Sequence, residues 1–154
     1  AEEAWRSIDD CKKYDEIVFC GYGEPTLRLD VIKEVSKKIK ESGGKVRLNT
    51  NGHGNVINKR NILPELRGLV DSISISLNAD TAEAYDRIVR PLPGLRNKIY
   101  DRVKEFIQEA KKYIPEVQTT IVTHQEGVDE ENCENISKNE FNVKYRPRRY
   151  NIVG

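Results

Sequence analysis

The sequence predicts an α/β fold: one domain over residues 1–154 in which about five parallel strands alternate with flanking helices. Three observations predict it. Short runs rich in Val and Ile recur along the chain, stretches with apolar residues at helical spacing separate them, and the first three runs end in loops of Gly, Pro, Asn and Ser. Strands separated by helices of this length pair in parallel through right-handed crossovers.

The elements follow in order. Residues 2–13 are rich in helix formers, with Ala4, Trp5, Ile8 and Cys11 spaced to share a face, so they predict a leading helix. Glu16-Ile17-Val18-Phe19-Cys20 predicts a buried strand closed by Gly21-Tyr22-Gly23-Glu24-Pro25. Val31, Ile32, Val35 and Ile39 mark a helix over 30–42 that Gly43-Gly44 stops. Lys45-Val46-Arg47-Leu48-Asn49 is the second strand, leading into Asn51-Gly52-His53-Gly54. The third, 72–77, ends at Asn78 and precedes a helix capped by Thr81. After a turn at 91–94, residues 97–113 predict the longest helix; 117–122 is the fourth strand, 129–138 a helix and 141–145 the fifth strand. Five strands do not close an eight-stranded barrel, which leaves an open, curved partial barrel or a flat doubly wound sheet. Both place the ligand site at the C-terminal ends of the strands.

The 26 basic and 25 acidic side chains nearly cancel, so bulk charge indicates neither nucleic acid nor membrane as a partner. No apolar run reaches bilayer-spanning length, and three widely spaced cysteines fit a reducing compartment better than a disulfide framework, an expectation of a cytoplasmic protein. The chain has no methionine and opens on Ala1-Glu2-Glu3-Ala4-Trp5, which reads as the middle of a helix and suggests a piece of a longer protein.

Three strand ends carry the candidate site: Gly21-Tyr22-Gly23-Glu24-Pro25-Thr26, Asn49-Thr50-Asn51-Gly52 and Ser74-Ile75-Ser76-Leu77-Asn78. In a parallel sheet they converge. Glycine lets a ligand approach the backbone, Pro25 stiffens the loop exit, and Glu24 offers a carboxylate to an ammonium group. Each loop singly is ordinary turn chemistry; three along one edge point to a site.

The strand 16–20 followed by Gly21-Tyr22-Gly23-Glu24-Pro25-Thr26-Leu27 resembles the glycine-rich motif after the second strand of radical S-adenosylmethionine (radical SAM) enzymes. With Arg47-Leu48-Asn49-Thr50-Asn51-Gly52, Ser76-Leu77-Asn78-Ala79 and Arg148-Arg149-Tyr150-Asn151, the succession is most similar to the TatD-associated radical SAM proteins. The resemblance implies a partial (β/α) barrel lacking its first strand, with an exposed edge there. It implies S-adenosylmethionine as cofactor, its methionine end at Gly21, Tyr22, Gly23, Glu24 and Pro25, with Asn49 and Asn51 at the next strand end and Ser76 and Asn78 toward ribose and carboxylate. It also implies a 4Fe-4S cluster in the complete protein, an electron donor, and a small-molecule or macromolecular substrate not yet identified.

The clustered Cys-x-x-x-Cys-x-x-Cys loop of that family has no counterpart here, since Cys11, Cys20 and Cys133 are far apart, so these 154 residues alone are expected to be inactive. A second reading is a non-catalytic S-adenosylmethionine or nucleotide binding module acting with a partner. A sugar-phosphate or aldol enzyme would want a strand-end lysine or a late phosphate loop, and neither is present. His53 is a further candidate for proton donation or substrate contact. The basic segment Lys144-Tyr145-Arg146-Pro147-Arg148-Arg149-Tyr150 is either a phosphate- or base-gripping strand or a solvated strand neutralised by the acidic run 126–134. Arg87, Arg90 and Arg96 sit around the 91–94 turn, facing either substrate or solvent.

Overall fold

A computed structural model describes residues 1–21 and 23–149. Its sheet has five parallel strands in chain order: β1 (Ile17–Phe19), β2 (Val46–Thr50), β3 (Ser72–Ser76), β4 (Glu116–Val122) and β5 (Lys144–Arg148). The helices are α1 (Glu2–Arg6), α2 (Leu29–Glu41), α3 (Gly54–Ile57), α4 (Leu63–Leu66), α5 (Ala82–Val89), α6 (Ile99–Ala110) and α7 (Glu130–Asn135).

Strand order decides between the two architectures left open by the sequence. When every strand pairs in parallel with its neighbour in sequence, right-handed crossovers put all the helices on one face. A doubly wound sheet needs a reversal of strand order, and none occurs among the described residues. The fold is therefore consistent with a partial (β/α) barrel.

Strand alternation divides the chemistry between the two faces. Val46, Leu48, Ile73, Ile75 and Ile121 are completely buried against the helices, where they meet Ile32, Val35 and Ile39 of α2 and Val103, Phe106 and Ile107 of α6. Each such side chain contributes on the order of 1.5–3 kcal/mol through removal from water, so this layer supplies the cohesion. The residues between them, Arg47, Asn49, Ser72, Ser74, Ser76, Gln118 and Thr120, form the opposite, polar face. They are bound to one another: Arg47 Nε donates to Glu16 Oε1 (2.6 Å) and its Nη1 to Ser74 Oγ (3.2 Å), and Gln118 Nε2 also donates to Ser74 Oγ (2.5 Å). No helix of the described residues is long and apolar enough to cross a membrane.

Several boundaries differ from those the sequence predicts. The leading helix is α1 alone, followed by a separate 3-10 turn at Cys11–Lys13, because the Asp10 carboxylate accepts from Lys12 N and restarts the chain. The longest helix is α2, one residue longer than α6, which begins at Ile99. The helix predicted over 129–138 is α7 followed by a wider π turn at Ile136–Glu140. The fifth strand begins three residues later than predicted: Phe141 is buried as a plug at the end of that turn, and Asn142 takes a left-handed conformation (φ 53°) before β5 starts. Two short helices, α3 and α4, fill the connection from β2 to β3, where the sequence offers no amphipathic run long enough to announce them.

Candidate functional site

The C-terminal ends of β1, β2 and β3 lie side by side along one edge of the sheet. In the loop after β1, a Cβ at either Gly21 or Gly23 would meet nothing within 4 Å beyond its chain neighbours, and Gly23 has φ 108°. Glycine at both positions puts no side chain of its own between the backbone and a ligand. Tyr22, predicted between them, lies outside the described residues.

Glu24 is engaged within the protein itself. Its Oε1 accepts from Thr26 N (3.2 Å), Thr26 Oγ1 (2.6 Å) and Thr50 Oγ1 (2.6 Å), and its Oε2 accepts from Asn51 N (2.7 Å). One carboxylate thus caps the 3-10 turn Pro25–Arg28, where Pro25 occupies the first position, and ties the β1 loop to the end of β2. Only Oε2 has accepting capacity to spare, since it takes one of the four bonds.

The end of β2 is built by short-range bonds. Thr50 Oγ1 also accepts from Gly52 N (3.1 Å), and Asn51 Oδ1 accepts from His53 N (2.9 Å), an Asx turn that reverses the chain. Gly52 has φ 80°, and a Cβ there would sit 3.1 Å from both Ile75 Cγ2 and Val103 Cγ1, so glycine is required twice over. One strand layer below, Asn49 is on the polar face and its Oδ1 is buried with no hydrogen-bond partner among the described residues. An unpaired buried carbonyl costs about 1–3 kcal/mol, so Asn49 keeps an unused acceptor on this face, as do Ser36 Oγ, Asp86 Oδ1 and Thr123 Oγ1 elsewhere.

At the end of β3, Ser76 is half-buried on the polar face, and Asn78 is left-handed (φ 62°) with its backbone N–H directed at Thr120 O (3.4 Å). Asparagine tolerates that conformation better than most residues, which accounts for its place at the strand end. The structure thus gathers Gly21, Gly23, Glu24, Pro25, Asn49, Asn51, Ser76 and Asn78 along three adjoining strand ends. It engages Glu24 and Asn51 in loop bracing and leaves Asn49 short of a partner.

His53 was legible as a candidate; its partner was not. His53 Nε2 and the Tyr85 hydroxyl share a hydrogen bond of 2.7 Å, although 32 residues separate them. Tyr85 is fully buried on α5, its ring 5.3 Å from that of Tyr100, whose hydroxyl donates to Ala79 O (3.1 Å). Three rings thereby link the loop after β2 to the loop after β3. Burial lowers the His53 pKa below its ordinary value, and the nearby Glu24 charge opposes this only in part. Because the folded-state value is depressed, stability is complete above the unfolded value of about 6.5 and declines as pH falls below it. Thermal unfolding followed from about pH 7.5 to 5 should show that decline, and His53→Gln should flatten it; an unchanged slope would exclude His53 as its source.

Arg87 Nη2 donates to Gly127 O (3.4 Å), and Arg90 ends α5 in a left-handed conformation. A groove of about 990 Å³ runs between α3 and α6 beside Lys59, Lys98, Arg102 and Glu105, but none of Glu24, Asn49, Ser76 or Asn78 lines it. It opens on the helical layer and reaches the strand ends at Gly52, in the loop after β2.

The cysteines do not fit a cluster. Cys11 and Cys133 are buried in the core, burial pushes the Cys133 thiol up to about 12, and Cys20 is exposed at the end of β1. Among the described residues no three His, Cys, Asp or Glu side chains are grouped to hold a metal ion.

A one-sided parallel sheet with a polar open face and glycine-rich strand ends is consistent with a partial (β/α) barrel. The family model for the radical SAM superfamily matches residues 1–137, and the chain belongs to that superfamily. S-adenosylmethionine-dependent radical chemistry is the activity this membership suggests. No curated protein matches the chain.

Proposed function

We propose that the chain binds S-adenosylmethionine across the ends of β1, β2 and β3, as the cofactor-holding part of a radical SAM enzyme of the TatD-associated kind. The observation that carries the reading is the buried Asn49 Oδ1 on the polar face, unpaired among the described residues, beside a loop with open space at Gly21 and Gly23. The open space at Gly21 and Gly23 and the spare capacity of Glu24 Oε2 suit an α-ammonium and carboxylate. Asn49 suits a ligand amino or hydroxyl donor, and Ser76 and Asn78 suit a ribose.

A 4Fe-4S cluster and S-adenosylmethionine, which this superfamily generally uses, would supply the radical chemistry in the complete protein. The described residues are not arranged to ligate that cluster, so their part is to bind and orient the cofactor and to shield it from water. The dispersed cysteines favour, as a second reading, a binding module that works with a partner supplying the metal.

Calorimetric titration with S-adenosylmethionine tests the proposal. Wild type should bind, and Asn49→Ala and Ser76→Ala should each weaken binding about five- to tenfold, the loss expected for one hydrogen bond to a ligand. Equal affinities in all three proteins, or no binding by wild type, would overturn it.

A further inference from the structure

The basic segment near the C-terminal end adopts a geometry that the proposed function does not use. On β5 the alternate residues Lys144, Arg146 and Arg148 pair in register with Gln118, Thr120 and Val122, so they share the polar face of the sheet. Tyr145, between them, points the other way, and its hydroxyl donates to Glu130 O at the start of α7. Same-face residues on a strand recur about every 6.6 Å, so three cations stand in a ladder about 13 Å long.

The acidic run 126–134 does not neutralise this ladder. Asp129 caps α7 through Asn132 N (3.0 Å), Glu130 Oε1 accepts from His124 N (2.7 Å), and Glu134 pairs with Lys138. These groups belong to the helical side, toward which Tyr145 points, whereas the ladder faces away. Among the described residues Arg146 and Arg148 form no ion pair, and Lys144 has only Glu116, at 3.6 Å with both side chains largely exposed. Elsewhere on the polar face, Glu16 and Arg47 satisfy each other.

Position ties the ladder to the candidate site. Ser76 pairs with Thr120 and Thr120 with Arg146, so Arg146 stands two strand spacings, about 10 Å, from Ser76 along one row. S-adenosylmethionine carries a sulfonium and an ammonium against one carboxylate, and its net positive charge is repelled by arginine. The ladder therefore suits a different, negatively charged molecule. Lysine and arginine on an edge strand also deter aggregation, but that role does not require all three on the face shared with the site. The ladder also lies beyond residues 1–137, the span matched by the superfamily model.

We infer that Arg146 and Arg148, with Lys144, form the binding site for an anionic substrate, a phosphate- or carboxylate-bearing small molecule held beside the cofactor on the polar face of β4 and β5. The inference rests on the cofactor reading for the identity of its neighbour. A ladder of three cations is short for a nucleic-acid track, and the chain's charge is otherwise balanced, which favours a small anion.

Titration of inorganic pyrophosphate into the protein, with and without S-adenosylmethionine, tests it. Pyrophosphate should bind wild type, and Arg146→Gln/Arg148→Gln should weaken that binding by roughly tenfold or more without lowering affinity for S-adenosylmethionine, while Arg146→Lys/Arg148→Lys should recover part of the loss. Lys37→Gln/Arg67→Gln removes the same charge from exposed helical-side positions and should leave pyrophosphate binding within about twofold of wild type. Absence of pyrophosphate binding, or equal weakening by the two glutamine pairs, would overturn the inference while leaving the cofactor reading intact. So would ladder-dependent binding of a single-stranded oligonucleotide at lower concentration than pyrophosphate, which would assign the ladder to nucleic acid. Pyrophosphate bound through the ladder with no binding of S-adenosylmethionine would support the anion site and overturn the cofactor reading instead.

Discussion

Replacing Glu24 with alanine should lower the unfolding free energy by about 2–4 kcal/mol, read as a shift of the urea midpoint at unchanged slope. The carboxylate accepts four hydrogen bonds, and its loss leaves the buried Thr50 hydroxyl and the Asn51 N–H without their partner. Glu24→Gln keeps one acceptor oxygen but turns an amide NH₂ toward donors that need an acceptor, so it should cost less than alanine yet remain destabilising, about 1–2 kcal/mol. A carboxylate that only touched ligand would give the opposite pattern, with unchanged stability and lost affinity. Both losses together, the stability loss appearing without ligand, identify Glu24 as the brace that holds the β1 loop against β2.

Gly52→Ala is expected to cost a comparable amount, about 2–4 kcal/mol, from two additive sources: the left-handed φ of 80° and the forced displacement of Ile75 and Val103, each in a fully buried position. Gly68 supplies the control. It has φ 77° but open space where a methyl group would project, so Gly68→Ala should show the backbone cost alone, about 1 kcal/mol. Equal midpoints for the two variants would show that the close approach of β2's loop to β3 and α6 is not tight.

The legible parts of the fold were those where burial writes itself into the sequence. β2, β3 and β4 were placed within a residue because Val46, Leu48, Ile73, Ile75 and Ile121 alternate with polar neighbours, the mark of one covered face. β5 was misplaced for the converse reason. Its inward side packs little, three of its five residues are cations, Pro147 is tolerated at a sheet edge, and the more apolar Phe141 and Val143 just before it drew the prediction forward. The apolar spacing of 2–13 predicts one helix, but Ser7, Asp9 and Asp10 within it bond local backbone through their side chains and end the helix early.

The site was legible as a set of loops and illegible as a network. Gly-Tyr-Gly-Glu-Pro announces a tight strand end, but that Glu24 would be held by Thr50 and Asn51, 26 and 27 residues away, is a fact of tertiary approach. The same holds for Tyr85: its place on the inner side of α5 is readable, whereas its bond to His53 depends on how that helix crosses the loop. The unpaired Asn49 Oδ1 is a property of packing that no sequence pattern encodes.

The agreement between strand order and chain order also bears on how the protein assembles. Each β-strand finds its partner in the next repeating unit of the chain, so no segment waits for a distant one to be synthesised before it docks. Parallel sheets are slow to form when loop closure is long; here every closure spans a single crossover. Assembly can run vectorially with translation, each newly emerged unit templated on the last.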